Sequence, residues 1–481
     1  MLFRKFVFVC IAAIFGYVEG INAQNDSLSD SSSDGVGDVT QQPNTDMPVS
    51  GTLPVLHIET DNRVPVTSKT TYLQAKYWLV PTDGSGYEAL GSEAAPLDMQ
   101  IRGRGHSSWK SDKKPYKLRL ADKMSVMGMA KNRHWALLKP AEATVAGLRL
   151  GTLMGMAWTP DYRPVEVVLN GDNIGLYFLT ETIRIDKNRV DIYEQADGET
   201  DPELVSGGWL VEVDNYIDDN QITFRENSQL KLTLKYHSPE NLSGTQLSWL
   251  TSEFKAMNEA IYATDKTSKA WEDYMDVESM AKFFIIQEVM DNPDGFHGSF
   301  YLHKDLGDDA KWVAGPVWDL VCYNREKTDY TFRMKVHYTI NPHWIGEIIQ
   351  YDSFCQAVKT IWADVYPDKL SAIYDYIDDR VLSLDLAWQR NQQIWNEDPS
   401  VTVHTRAERL KTALHRNIEW FNAHLPQSKY TSINGQSGAD EKVRVYHIQG
   451  TYVGEFDNAA TAVSHLKKGL YIIGGKKVIV R

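Results

Sequence analysis

The hydrophobic period changes once along this chain, near residue 245, and that change limits the folds open to it. Before it, apolar residues alternate with polar ones in short runs. "LPVLHIET" (53–60), "YKLRL" (116–120) and "GGWLVEVD" (207–214) each read as a strand, and "VEVVLNGDNIGLYFLTETI" (165–183) reads as a hairpin turning at Asn170-Gly171-Asp172. After it, "QLSWLTSEFKAMNEAIY" (246–262), "DVESMAKFFIIQEVMD" (276–291) and "TRAERLKTALHRNIEWFNAHL" (405–425) follow a helical period. In the last of these, Leu410, Leu414, Ile418, Phe421 and Leu425 share one face. Strands first and helices second give an α+β class with a strand-rich N-terminal half and a helix-rich C-terminal half. An alternating doubly wound sheet is excluded.

At 481 residues the chain is too long for one ordinary core without appendages. Its two ends supply them. "MLFRKFVFVCIAAIFGYVEGINA" (1–23) has Arg4 and Lys5 ahead of an apolar run of secretory-signal length, and reads as a cleaved signal peptide. Residues 24–50, rich in Ser, Asp and Gly, read as a flexible linker. The main domain spans 51–428, a second linker 429–440, and a small β module 441–481 around "GLYIIGGKKVIV". No transmembrane span is expected once the signal is removed, so the protein is expected outside the cytoplasm, secreted or at the cell surface. The net charge of −14 argues against a nucleic-acid partner. After signal cleavage only Cys322 and Cys355 remain, which allows one disulfide and no cysteine zinc site.

Against that acidic background, "RGRGHSSWKSDKKPYKLRL" (102–120) holds seven basic residues and one acidic one. Gly103 and Gly105 would let backbone amides approach an anion, and Arg104, Lys114 or Lys117 could neutralise it. On spacing alone, a solvated charged strand face fits equally well. No G-x-x-x-x-G-K-[ST] phosphate loop is present, and "GHSSW" lacks the closing Gly of a nucleophile elbow. A second group is acidic: Asp291, Asp294 and Asp319 flank an expected strand pair, with Ser299 and Asn324 nearby. Phosphoryl transfer needs one carboxylate to orient or deprotonate the acceptor hydroxyl and another to hold magnesium. Asp294 and Asp319 are separated suitably for those roles, although each taken singly also suits a turn or cap. A strand lysine followed by two such acids is the chain order of a protein kinase. Glu212 and Asp214, two apart on one strand, face the same side and suit a metal, a salt bridge or hydrolytic acid–base work.

The chain resembles the CotH family, the spore-coat-protein-H-like kinases, and in particular their secreted members common in Bacteroidetes. The resemblance covers roughly Leu53 to Leu425. It runs in order through "IRGRGHSSWKSDKKPYKLRL", "MGMAKNRHWALL", "WTPDYRPVEVVLNGDNIGLYFLTETIRIDKNRV", "GGWLVEVD" and "GPVWDL". It implies an atypical protein-kinase-like fold that binds ATP and Mg2+ (or Mn2+) and phosphorylates Ser or Thr of a secreted or envelope protein. By the same resemblance Lys117 or Lys114, with Arg104, would meet the nucleotide phosphates. Asp294 would be the catalytic carboxylate, and Asp319 with Ser299 the metal ligands. Three departures stand out. Ser299 occupies the position of a kinase metal-binding Asn. Val321 replaces a polar residue after "GPVWD". The stretch 141–159 lacks an Arg-Asn pair, of which Arg149 reads as a displaced remnant. These departures keep open an alternative, a catalytically degenerate member serving as a surface binding or structural module. The tail resembles C-terminal modules of secreted Bacteroidetes proteins and implies sorting by type IX-like machinery.

Overall fold

Seven strands of the first half close on themselves. In the computed structural model, which describes residues 42–214, 221–223, 233–307, 309–324, 344–429, 443–457, 459–474 and 476–480, β1 (Val55–Thr60), β2 (Leu73–Val80), β3 (Leu97–Gly103), β4 (Tyr116–Met124), β5 (Asn132–Leu138), β6 (Tyr162–Leu169) and β7 (Asp172–Glu181) form a barrel. Its order is β1-β2-β3-β4-β5-β7-β6, and a parallel β1–β6 pairing, Leu56 opposite Val167, completes the ring. Closure leaves no unpaired edge to be capped. Strand alternation sends Ile58, Leu79, Ile101, Leu118, Trp135, Val165 and Tyr177 to the inside, all buried. The expected hairpin is β6–β7, turning at Asn170 and Gly171. Alternating runs announce strands, but nothing in them announces closure, which depends on pairing the sixth strand with the first.

A second sheet follows, ordered β12-β11-β8-β10-β9. It comprises β8 (Trp209–Val213), β9 (Gln221–Thr223), β10 (Thr233–Ser238), β11 (Phe300–Lys304) and β12 (Val313–Ala314). The expected strand pair between 295 and 320 is β11–β12. Helices pack around this sheet: α1 (Glu142–Leu153), α2 (Gly244–Ile261), α3 (Val277–Val289), α4 (Trp344–Ile348), α5 (Asp352–Val365), α6 (Asp368–Leu382), α7 (Asp385–Trp395) and α8 (Val403–Ala423). The strand-rich first half and helical second half match the expected class. Ser243 opens α2 with a capping box, its hydroxyl accepting from the Gln246 amide while the Gln246 side chain accepts from the Ser243 amide. Asp276 caps α3 by accepting from the Ser279 amide at 2.7 Å. Helix α3 is buried on nearly every side, so its period is blurred, and its rigid C-terminal end delivers residues 290–299 to the second sheet.

The barrel and the helices share one core along β6, β7 and α1, where Tyr162 and Phe178 join Val145 and Leu150. Further along β7 a lysine joins the two halves. Lys113 is buried, and its Nζ donates to the Ile174 carbonyl at 2.8 Å and to Asn391 Oδ1 of α7 at 2.7 Å. The same ammonium lies 4.0 Å from the centre of the Tyr177 ring. Gly175 permits the approach: its φ is +79°, and a Cβ there would stand 2.7 Å from Asn391 Oδ1. The tail forms its own sheet of β13 (Val443–His447), β14 (Tyr452–Phe456), β15 (Gly469–Ile473) and β16 (Lys476–Val480), with α9 (Ala459–His465) covering Val445, Tyr471 and Val478. Cys322 and Cys355 are buried free thiols. Among the described residues no helix is long and apolar enough to cross a membrane. The expected signal and most of the first linker lie outside the described residues.

Replacing Lys113 by Ala deprives Asn391 Oδ1 of its donor, while the Ile174 carbonyl keeps the Trp395 indole N–H at 3.1 Å, and is expected to cost about 2 kcal/mol of folding stability. Chemical denaturation measures it, and a loss under about 0.5 kcal/mol, the range of ordinary surface substitutions, would deny the lysine this role.

Candidate functional site

Pairing register decides which basic side chains meet. On β3 and β4 the inward residues are apolar, so Arg102 and Lys117, directly opposite each other, project from the outer barrel wall. Lys117 lies beside Ala136 on β5, and Ala136 beside Thr180 on β7. Burial, helped by repulsion from Arg102, Arg184 and Arg104, pulls Lys117 down to about 8. Two residues along β5 from Ala136, burial together with Arg184, Lys117, Arg119 and Arg189 drives His134 down to about 3, so it stays neutral at any physiological pH. The Nε atoms of Arg102 and Arg189 and Nδ1 of His134 are buried with no hydrogen-bond partner. A wall this rich in unbalanced positive charge favours an anion.

The loop after β3 carries the motif glycines. Gly103 lies flat under Trp109, where a Cβ would come within 2.4 Å of the indole, and Gly105 adopts φ +85°. The loop consumes one expected ligand: Lys114 Nζ donates to the Trp109 carbonyl at 2.8 Å. Arg104 turns the other way, its guanidinium 5.3 Å from the Trp318 ring centre. With Asp319, Thr144 and Thr180 it lines a cavity of about 50 Å³, room for a few water molecules.

Facing this wall is the acidic face of the second sheet. Glu212 on β8 is flanked by Lys235 on β10 and Tyr301 on β11. Its Oε2 lies 2.7 Å from His237 Nε2, and Lys235 Nζ donates to Asp214 Oδ2 at 2.9 Å. Burial alone would raise Glu212, but His237, Lys235 and Tyr301 together hold it below the usual carboxylate range. These partners make Glu212 and Asp214 members of a salt-bridged network. Asp319 is open to solvent yet surrounded by protein. That setting, with repulsion from Asp294, Glu212 and Asp214, raises its carboxyl against the pull of Arg104. Asp294 is 63% exposed, and its Oδ1 lies 3.1 Å from His297 Nε2.

Three residues of this region have an uncommon backbone conformation. Asp291, Ser299 and Asp319 hold φ of 47°, 52° and 51°, in the left-handed region that side chains other than Gly seldom adopt. Such conformations persist where surrounding structure enforces them, and they cluster at functional sites. The Asp319–Asn324 segment is pinned by hydrogen bonds from the Tyr323 amide to the Met290 carbonyl and from Asn417 Nδ2 to the Tyr323 carbonyl. Asn324 Oδ1 is buried and accepts no hydrogen bond.

Of the expected site residues, Arg104, Lys117, Asp294 and Asp319 are electrostatically linked across one cleft. Lys114 is engaged in its own loop, and Ser299 stands at the turn entering β11. Arg149 packs over Tyr376 of α6, 5.0 Å from its ring centre. The sequence reading missed Arg102 and Arg184, because only strand register shows which cations crowd Lys117. Among the described residues no three His, Cys, Asp or Glu side chains are close enough to form a metal cage. Magnesium does not require one, since it binds through one or two carboxylates, waters and substrate phosphates. The mutual repulsion around Asp319 is what a divalent cation would relieve, so the residues present fit that ion.

Residues 101–421, two thirds of the chain, match the family model described as CotH kinase protein. No curated protein matches the chain.

Because an anion is attracted by the protonated form of Lys117, polyphosphate affinity should be full below pH 8 and fall as pH rises through about 8 towards its ordinary 10.5. Titration calorimetry with tripolyphosphate at several pH values checks this. Lys117→Arg should flatten the dependence, and a profile unchanged by that substitution would remove Lys117 from the site.

Proposed function

The chain belongs to the CotH kinase protein family, and from that premise we propose that it transfers a phosphoryl group from ATP to a Ser or Thr hydroxyl of a secreted or envelope protein. The observation that carries the reading is the opposition of a cationic barrel wall to a cluster of carboxylates around Asp319, which itself holds a left-handed backbone. Phosphoryl transfer needs little covalent chemistry from a protein, only positioning and stabilisation of charge. Lys117, with Arg102, Arg104 and Arg184 around it, neutralises phosphate oxygens. Asp294, exposed and therefore reachable by a macromolecular acceptor, takes the hydroxyl proton as that oxygen attacks; His297 at 3.1 Å keeps the carboxylate oriented. Asp319, Ser299 and the unpartnered Asn324 Oδ1 would hold magnesium, or manganese in its place. The bound ion supplies neutralisation of the developing phosphate charge. The 50 Å³ cavity is too small for a nucleotide, which would lie along the cationic wall outside it.

The N-terminal signal-like sequence supports a reading of this activity outside the cytoplasm, in a secreted member of the Bacteroidetes type whose tail module would be read by type IX-like machinery. A second reading keeps the fold without the chemistry, as a surface binding module. Ser299 favours it, because a hydroxyl holds magnesium less well than an amide carbonyl.

Radiolabelled transfer from ATP to generic protein acceptors and to the protein itself separates the two. Asp319→Ala should abolish transfer with melting unchanged, and Asp294→Asn should reduce it about 10²- to 10⁴-fold. Ser299→Asn should raise it. Transfer that survives Asp319→Ala would overturn the reading, and no transfer by wild type or Ser299→Asn would count against it and favour the binding module.

A further inference from the structure

The cationic wall does not stop at Lys117. The next outward position of β4 is Arg119, exposed and opposite His134. Arg184 acts on both Lys117 and His134, so the positive field runs unbroken from Arg104 to Arg119. Glu240 works against Arg102, Arg184 and Arg104 on Lys117 and does less than any of them. Asp161 is spent on Arg163 at 2.6 Å. Asp186 is spent on Lys123 at 2.7 Å, a bridge that holds the loop after β7 against β4 and brings the exposed Lys187 to the same end of the wall. The start of the described chain is tied down close by. The Ser50 amide and hydroxyl donate to the buried Glu166 carboxylate, the hydroxyl at 2.6 Å. Asn173 Nδ2 donates to the Met47 carbonyl, and the Asn44 amide to the Ile394 carbonyl, both at 2.8 Å. Ile394 adjoins Trp395, whose indole shares the Ile174 carbonyl with Lys113. The chain thus enters the fold beside the β3–β4 loop, four residues in sequence from Lys113 to Lys117.

We propose, resting on the phosphoryl-transfer reading, that this domain phosphorylates serines of its own residues 24–41, whose aspartates dock on the outer end of the wall at Arg119 and Lys187. The sequence of that segment is the complement of the wall. It holds Asp26, Asp30, Asp34 and Asp38 and no Lys or Arg, with Ser27, Ser29, Ser31, Ser32 and Ser33 between the acids. A basic segment would be repelled there, and a neutral one would leave both cations without a counter-charge. Reach is sufficient. At most about 3.5 Å per residue takes Ser33 about 30 Å and Ser27 about 50 Å from residue 42. Arg119, six residues beyond Lys113, lies within about 20 Å of it. Attachment makes the encounter intramolecular, so exposed charge pairs of modest strength suffice. In the step itself the serine Oγ bonds to the γ-phosphorus of ATP while the bond from that phosphorus to the β–γ bridging oxygen breaks. The hydroxyl proton passes to Asp294, and ADP leaves.

Peptide-mapping mass spectrometry on the full chain after incubation with ATP and magnesium tests this, with histone as an unrelated acceptor in a parallel reaction. Phosphate should appear on serines 27–33, and the rate per molecule should hold constant over a tenfold dilution, as transfer within one chain requires. The double variant Arg119→Ala, Lys187→Ala should slow that modification about tenfold, the worth of two exposed charge pairs, and leave transfer to histone unchanged. Thermal melting checks that the variant is folded. Replacing the five serines by Ala should remove the modification and leave histone phosphorylated. Phosphorylated histone beside an unmodified segment would overturn this proposal alone, while no transfer to either would overturn it together with the phosphoryl-transfer reading. A rate that falls on dilution, or modification indifferent to the double variant, would also overturn it.

Discussion

Arg104 holds a positive charge at the junction between barrel and second sheet, and the cleft is arranged around it. Burial works against its charge, while Asp319, Tyr301 and Glu212 sustain it from the opposite wall. The guanidinium is only half-buried and lies over Trp318, so these groups act on it through space rather than by direct pairing. The network is extended on both sides: Lys117 and Arg102 continue the positive wall, and Glu212 passes to His237 and Tyr301, with Lys235 and Asp214 alongside. Trp318 beneath the guanidinium and the Gly103–Trp109 contact behind it fix the loop that presents the charge. Elements far apart in sequence, the β3–β4 loop and the segment after β12, are thereby held at one place.

Class and order were legible in the sequence because they depend on period. The alternation of 165–183 gave the β6–β7 hairpin, and the helical period of 405–425 gave α8, each within a few residues. Closure of the barrel was not legible, since the β1–β6 pairing joins residues more than a hundred positions apart and no local pattern specifies it. The same limit applies to the site. Asp294 and Asp319 stood out as acids bracketing a strand pair, and Lys117 as a strand lysine. Lys114 stood out on the same grounds, yet its amine closes a loop. A charge count cannot separate a lysine spent on a backbone carbonyl from one crowded by arginines, whereas strand register can.

Membership of the CotH kinase family and the cleft's electrostatics point the same way but rest on different facts. The family match identifies the lineage; the left-handed backbone at Asp291, Ser299 and Asp319 shows where this chain keeps costly geometry.

The most direct measurement is calorimetry of ATP binding with and without magnesium, on the wild type and on Asp319→Ala. Opposed charge across the cleft predicts binding that requires magnesium in the wild type and is lost in the variant. Absence of binding in either condition, or binding indifferent to both magnesium and Asp319, would contradict a nucleotide site between the barrel and the second sheet.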